Sequence, residues 1–526
     1  MTTVRRATHD LLRARGMTTV FGNPGSTELG LLCELPDDVA YVLALHEAVA
    51  VAMADGFAQA SGRPAFVNLH TASGVGNAMG SVVNAFHNRA PLVITAGNQD
   101  RRHLALEPYL FARSTQLMAP YVKRSHEPAR AADVPAAIDR AWHLAQTPPT
   151  GPVFVSIPMD DWDQVTAPLP APRAVRPALR PSPELVAEIA SRLLRAERPT
   201  LVAGAGVDRD GAWTATTALA ERLTLPVWAA PQNARAGFPE DHPLFEGHLA
   251  AGHATAARQL AGADLALVLG SPIFPFLAYE PGGELPALVH VTDDPDEAAR
   301  APSELSVVAD TAAVVDALLD VLPVREAAPP PARPTPAPPP ATTPITPAFL
   351  MAALGGLVPP DAVIVEESPS NRADFRRHVR IRRPGGFYAT ASGGLGFAAP
   401  AAVGIKLADP ARAVVCVVGD GSALYAPQAL WNAVQLGLAV VFVLVDNGRY
   451  AILESVARFA ELGPLPGLEL PGLDLVGLAT SFGCPAMRVT EPGDLTPALT
   501  DALAADGPVM LDVVIDPEPL PLLRSR

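Results

Sequence analysis

Cysteine is nearly missing from this chain. Only Cys33, Cys416 and Cys484 occur among 526 residues, far apart and with no CxxC or His–Cys ligand spacing. Neither a disulfide framework nor a thiolate metal site is supported, and each cysteine, set among apolar neighbours, is expected to be a buried free thiol in a reducing cytoplasm. Charge is sparse and lopsided as well. Charged residues are 18% of the chain and the formal net charge is −15, which gives nucleic acid and anionic membranes no general attraction. No apolar stretch reaches the ~20 residues of a membrane span. The amino terminus, Met1-Thr2-Thr3-Val4-Arg5-Arg6, leads into a polar amphipathic segment rather than a secretory hydrophobic region. A soluble cytoplasmic protein without nucleic-acid or membrane partners is the expectation. What the chain does hold is hydrophobic residues, 49% of the total, enough for large cores in two to four domains.

Proline interrupts the periodic segments in two places. From Val324 to Pro347 the chain can sustain neither a helix nor a central strand and favours extended polyproline II, a semi-rigid spacer with 324–341 as its linker. A weaker boundary lies between Pro168 and Pro183, where Pro and Ala replace periodic apolar residues. Three domains follow: 1–175, 183–323 and 342–526. Each alternates short apolar runs with helical patterns, so the expected fold class is α/β, three doubly wound parallel-sheet domains. In the first, residues 19–21, 42–45, 65–69 and 92–95 read as strands. In the second, Thr200-Leu201-Val202-Ala203-Gly204-Ala205-Gly206 invites a dinucleotide reading, against which Arg209 stands where the third glycine should fall.

The last domain carries the strongest chemical signal. Val414-Val415-Cys416-Val417-Val418-Gly419-Asp420-Gly421-Ser422 is followed by a helical segment, 429–436, and then by Val440-Val441-Phe442-Val443-Leu444-Val445-Asp446-Asn447. Both runs have the pattern of parallel strands buried on two faces, so Asp420 and Asn447 are expected to end neighbouring strands. Ligands of open parallel sheets collect at those ends, and two hard oxygen donors there suit Mg²⁺ carrying a diphosphate. Gly-Asp-Gly alone is a common turn. An Asn 27 residues after the Asp is not.

That spacing resembles the cofactor motif of thiamine diphosphate enzymes. The first domain agrees with it: Glu47 opens a helix, His46 to Gly62, immediately after a strand, and its run into Ala54-Asp55-Gly56-Phe57-Ala58 is similar to the family's amino-terminal helix, whose glutamate contacts the cofactor aminopyrimidine. An acid in a first turn also serves the helix dipole, so the assignment rests on the resemblance. Phe21-Gly22-Asn23-Pro24-Gly25-Ser26, Leu69-His70-Thr71-Ala72-Ser73-Gly74-Val75-Gly76-Asn77-Ala78 and Ala391-Ser392-Gly393-Gly394-Leu395-Gly396-Phe397 look like the benzoylformate decarboxylase branch. The resemblance spans essentially the whole chain and is weakest in the linker and middle domain.

The resemblance implies a role for each matching position. Glu47 would protonate the pyrimidine ring and so help to generate the reactive carbanion, and Leu395 would sit beneath the cofactor and hold its rings in a V. Asp420, Asn447 and the carbonyl of Arg449 would bind Mg²⁺. Gly421, Ser422, Gly448 and Tyr450 would contact the diphosphate, Asn23 and Pro24 would approach the pyrimidine, and Gly393 would lie beside the cofactor. Ser26 and His70 would bind the substrate carboxylate and move protons. In the family the site forms between subunits, so at least a homodimer, commonly a homotetramer, is implied.

One departure stands out. In Phe274-Pro275-Phe276-Leu277-Ala278-Tyr279-Glu280-Pro281-Gly282, Leu277 occupies the place of the branch's second active-site histidine. Asp446-Asn447 replaces the usual Asn pair, and Val456 and Ile452 stand where the prototype has Phe and Ala. Leu110, Leu277, Ile452, Leu453 and Val456 together imply a pocket for an aromatic or medium apolar side chain. The expected activity is non-oxidative decarboxylation of a 2-oxo acid to an aldehyde. A carboligase of the acetolactate synthase or benzaldehyde lyase kind is the alternative, and a cofactor-binding protein without turnover is the third reading.

Overall fold

The computed structural model describes residues 1–168, 173–325, 331, 333, 334 and 336–522, so parts of the expected linker 324–341, of the boundary at 168–183 and of the last domain's end at 526 lie outside the described residues. Three six-stranded sheets are present, one in each expected domain. In the last, the order is Phe387–Tyr388, Val363–Glu367, Val414–Gly419, Val440–Asp446, Val509–Val514, Ala486–Val489, with every neighbouring pair parallel. Winding reverses between Val363–Glu367 and Val414–Gly419, and a crevice opens there at the carboxyl ends. Gly419 pairs with Val445, so Asp420 and Asn447 do follow neighbouring strands, joined by the helix Gln428–Gln435. The first and middle sheets are also parallel and wound in both directions, from the second and third strands in the first sheet and from the third and fourth in the middle one.

Four helices matter below: α1 Glu47–Ser61, α2 Thr71–His87, α3 Ala398–Ala408 and α4 Ala451–Phe459. The strand expected at 42–45 is Ala40–Leu43, because the chain must leave the sheet in time for His46 to cap α1, its side chain accepting the N–H of Ala48 at 3.1 Å. Across the boundary between first and last domains, α1 packs backbone to backbone on α3. A Cβ on Gly56 would collide with Ala401, and one on Gly404 with Met53. The two domains share one buried apolar cluster, from Phe21, Val51 and Met53 to Phe397, Val403 and Phe442.

The middle-domain glycines take another role. The strand is Pro199–Ala203, and a Cβ on Gly206 would lie 2.6 Å from Gly270 Cα, so these glycines close the crevice of their own sheet instead of cradling a phosphate. Arg89 of the first domain enters beside it and pairs with Asp293, Asp294 and Glu297. Cys416 and Cys484 are buried free thiols as expected, but Cys33 is exposed, because the short helix Leu29–Leu32 ends there at the surface. Among the described residues no helix is long and apolar enough to cross a membrane.

Candidate active site

The crevice of the last sheet widens into a cleft of about 640 Å³. Its floor includes Asp420, Gly421, Ser422, Asn447, Arg449 and Tyr450. Asp420 Oδ1 accepts the N–H of Gly421 at 2.8 Å, whereas Oδ2 is buried without a hydrogen-bond partner. Burial, and then the neighbouring Asp446, push the Asp420 carboxyl above its ordinary range, opposed by the N–H of Gly421. Asn447 starts a tight turn, with its Oδ1 accepting the N–H of Arg449 at 3.2 Å and Gly448 at φ +66°. The segment after α4 pins that turn. Tyr450 donates its N–H to Leu468 O, and Leu470 donates to Gly448 O, each at 2.8 Å.

These residues fit a hard divalent cation. Among the described residues no group of three or more His, Cys, Asp or Glu side chains could hold a metal, so a site here would draw on fewer than three such side chains, completed by amide and carbonyl oxygens. The orphaned Asp420 Oδ2 is the donor that such an ion would satisfy, and Asn447 and the Arg449 carbonyl belong to the adjacent turn. Small backbone-exposing residues leave room for a diphosphate beside it.

The expected pocket wall divides. Leu277, Ile452, Leu453 and Val456 line the cleft, the last three from α4 and Leu277 from the middle domain. Gly393 and Leu395 line it too. Leu110 does not: it lies in the first domain at φ +64°, and no first-domain residue lines the cleft.

Glu47, His70, Ser26, Asn23 and Pro24 gather instead at the carboxyl ends of the first sheet. Glu47 is buried at the start of α1, where Asn77 of α2 donates to its Oε2 at 3.0 Å. Gly74 makes space for it, since a Cβ there would lie 2.9 Å from Glu47 Oε1. His70 caps the other end of this arrangement, just before α2, with Nδ1 2.8 Å from Glu28 Oε2. Glu28 is fully buried and accepts N–H groups from Gly25 and Gly97, each at 3.0 Å, and the Thr27 hydroxyl at 2.6 Å. A group so surrounded by donors is an acceptor, which favours the tautomer with hydrogen on His70 Nδ1. Gly25 packs against the His70 ring, which brings the exposed Ser26 and Pro24 and the half-buried Asn23 to the same loop cluster.

Comparison with known sequences decides the family. The chain matches the thiamine pyrophosphate enzyme N-terminal TPP binding domain over residues 2–118, the central domain over 186–318 and the C-terminal TPP binding domain over 370–513. It belongs to the thiamine pyrophosphate enzyme family. It is 46% identical to a benzoylformate decarboxylase of Pseudomonas aeruginosa over 530 residues, covering 98% of this chain and 99% of that one. Among solved structures it is similar to a thiamine diphosphate-dependent 4-hydroxybenzoylformate decarboxylase of Rhodococcus jostii RHA1, with TM-score 0.95, 42% identity and coverage of 98% and 99%. It is equally similar in shape to a benzoylformate decarboxylase of Polynucleobacter necessarius, with TM-score 0.97, 40% identity and coverage of 99% and 100%.

For this thiamine pyrophosphate enzyme, sequence reasoning missed the residues that hold the expected ones. Glu28, Asn84 and Glu367 carry no motif of their own, and only their distances to His70 and the loop of Leu395 reveal them; Asn77 falls within the run from Leu69 to Ala78, but only its distance to Glu47 gives it a role. Glu28 offered one signal, an acid two residues beyond Ser26, which reads equally well as part of a helix start.

Proposed function

We propose that the chain is a thiamine diphosphate- and Mg²⁺-dependent carboxy-lyase that converts a 2-oxo acid with an aromatic, benzoylformate-like, or medium apolar side chain into an aldehyde and CO₂. The observation that carries this reading is the continuity of the cleft, from the orphaned Asp420 oxygen to a hydrocarbon wall of Leu277, Ile452, Leu453 and Val456. The near full-length similarity to decarboxylases of aryl 2-oxo acids supports it.

Thiamine diphosphate, when bound, would supply nucleophilic carbon and electron-sink chemistry for decarboxylation. The chain's residues do the rest. Asp420, Asn447 and the Arg449 carbonyl would hold Mg²⁺, and Gly421, Ser422, Gly448 and Tyr450 would face the diphosphate. Glu47 keeps a proton on the pyrimidine ring, its carboxylate oriented by Asn77. Asn23 and Pro24 would shape the approach to that ring, and Leu395 would support the cofactor from below, with Gly393 giving it space. Ser26 binds the substrate carboxylate, and His70, oriented by Glu28, moves a proton at Nε2. Leu110, which lies outside its own chain's cleft, would join the apolar wall only in the cleft of a second copy.

First-domain groups and the cleft are not brought together within one chain, which supports a cleft completed by a second copy: a homodimer at least, and a homotetramer as the expected assembly. Exposed Leu43, Leu45 and Leu106 on the first domain, and Tyr425, Leu453 and Phe459 on the last, offer apolar surface for it. A cytoplasmic location belongs to the same proposal.

Leu277 supports a second reading. It is an apolar group in the cleft where a proton donor would speed aldehyde release, so carboligation to a 2-hydroxy ketone competes. The test is CO₂ release from a panel of aryl and alkyl 2-oxo acids, with and without thiamine diphosphate and Mg²⁺. No release from any of them, or release independent of both additions, would overturn the proposal; analysis of aldehyde against hydroxy ketone separates the two readings.

A further inference from the structure

Leu395 sits in a loop that has no regular structure, yet both of its neighbours in the chain are fixed. On one side, Gly394 O accepts Asn84 Nδ2 at 3.1 Å, and Asn84 Oδ1 in turn accepts the hydroxyls of Thr390, at 3.1 Å, and Ser392. On the other, the N–H groups of Gly396, Phe397 and Ala398 converge on the carboxylate of Glu367 at 2.7, 2.8 and 2.7 Å. A third tie, from Asn88 Oδ1 to the N–H of Ala391 at 2.9 Å, is itself set by Asp55. Asn84 and Glu367 are 1% exposed each, so these bonds are sheltered from water.

We propose that Asn84 and Glu367 are positioning residues that clamp the loop 390–396 from two domains and thereby set the height of Leu395 in the cofactor cleft. The role of Leu395 toward the cofactor rests on the reading in the preceding section; the clamp does not. Asn84 lies on α2, seven residues beyond Asn77, which orients Glu47. Seven residues are about two turns, ~10 Å along one face of a helix. A single helix of the first domain therefore positions a carboxylate for one cofactor site and, through the loop, Leu395 in the cleft of its own chain. If the cleft is completed by a second copy, these belong to two different sites, and α2 links them.

The small loop residues agree with a clamp. A Cβ on Gly394 would lie 2.5 Å from Asn84 Oδ1, so glycine is required for this contact to form. Gly393 and Gly396, at φ +76° and +94°, give the backbone on either side of Leu395 a path that other residues rarely adopt.

The test uses the full-length chain with and without thiamine diphosphate. Asn84→Ala removes the donor and the acceptor, whereas Asn84→Asp keeps the acceptor for Thr390 and Ser392 and loses only the donor to Gly394. In Asn84→Ala, hydrogen exchange at the amides of residues 391–397 is expected to speed up by about tenfold or more in the absence of cofactor, since each lost bond shifts local opening by roughly that factor. Thiamine diphosphate should bind about tenfold more weakly by fluorescence titration, kcat should fall with substrate KM unchanged, and Asn84→Asp should recover part of each effect. Unchanged exchange in Asn84→Ala, or faster exchange with unaltered cofactor affinity, would overturn the proposal. Glu367→Gln guards against a variant that does not fold, because it keeps one acceptor oxygen and should loosen only the amides of 396–398. A parent chain that takes up no thiamine diphosphate would overturn the cofactor reading before any variant is made, and the exchange experiment still decides the clamp.

Discussion

The middle and last sheets each hold six parallel strands with one reversal of winding, between the third and fourth strands in the middle sheet and between the second and third in the last, yet of these two crevices one is usable. In the last domain the two strand ends lead into Asp420 and into the Asn447 turn, and the space between them stays open as a cleft of about 640 Å³. In the middle domain Gly204, Gly206 and Gly270 close on one another, and Arg89 from the first domain pairs with the acids beside them. Winding offers a crevice at the carboxyl ends of the strands; backbone volume and local charge decide whether a ligand can enter. The middle domain thus serves the site from its rim, by supplying Leu277, and not through its own crevice.

The harshest test of this contrast is Asp420→Ala. It should abolish thiamine diphosphate retention and activity at concentrations that saturate the parent, checked by cofactor titration and metal analysis. Thermal stability should not fall, because an unsatisfied buried carboxylate oxygen is removed with it. Retention of cofactor and metal would mean that the open crevice is not the site.

Glu47→Gln preserves size but not charge. Deuterium exchange at the cofactor's reactive carbon should slow by about 10²–10⁴, the usual worth of a placed acid–base group, with the fold intact. Quenched NMR measures it, and an unchanged rate would reduce Glu47 to a helix-terminal acid. Leu277→His probes the rim that the middle domain supplies. The position is 55% exposed, so an imidazole there stays hydrated and able to donate, and the ratio of aldehyde to hydroxy ketone should rise severalfold. An unchanged ratio would show that proton donation from the rim does not limit release.

Gly206→Ala attacks the closed crevice. Its new methyl would press on the Gly270 backbone, and overpacking of this kind costs about 1–3 kcal/mol. The melting temperature should drop while cofactor affinity and kcat of the folded enzyme stay unchanged; altered cofactor affinity would mean that the middle crevice is part of the site after all.

The smallest effect concerns Asp55, which lies beneath the clamped loop and whose carboxyl burial pushes up to about 7 against the hydrogen bonds of Asn88 and Gln59. A raised acid binds its proton more tightly in the folded state, so it subtracts stability as pH rises from about 4 to about 7. Asp55→Asn should flatten the slope of denaturation midpoint against pH across that window, whatever its absolute stability. A slope equal to the parent's would place the titration elsewhere.

Much of this was legible in the residues. The apolar runs 414–419 and 440–446 announced buried parallel strands, and Glu47, Asp420 and Asn447 announced a cofactor, because each is tied to a local pattern of a few neighbours. The glycines of the middle domain were ambiguous for the same reason, since a strand followed by Gly-Ala-Gly looks alike whether glycine admits a phosphate or another glycine, and Arg209 in the third glycine's place told against the phosphate. Cys33 sits among leucines, but its short helix ends at the surface. Leu110 reads as a pocket residue, yet its own chain's cleft excludes it.

The sequence alone determined the three α/β units, the turn that follows the strand at Asn447 and the start of α1 at Glu47, since strand burial, helix starts and tight turns are short-range consequences of side-chain shape and polarity. Only the tertiary structure decided which groups hold those residues in place. Glu28 meets His70 across 42 residues of chain, Asn84 meets Gly394 across 310, and Arg89 meets Asp293 across 204. Such pairs form because packed helices and sheets bring buried polar atoms together and leave each one needing a partner, a requirement that no local pattern records.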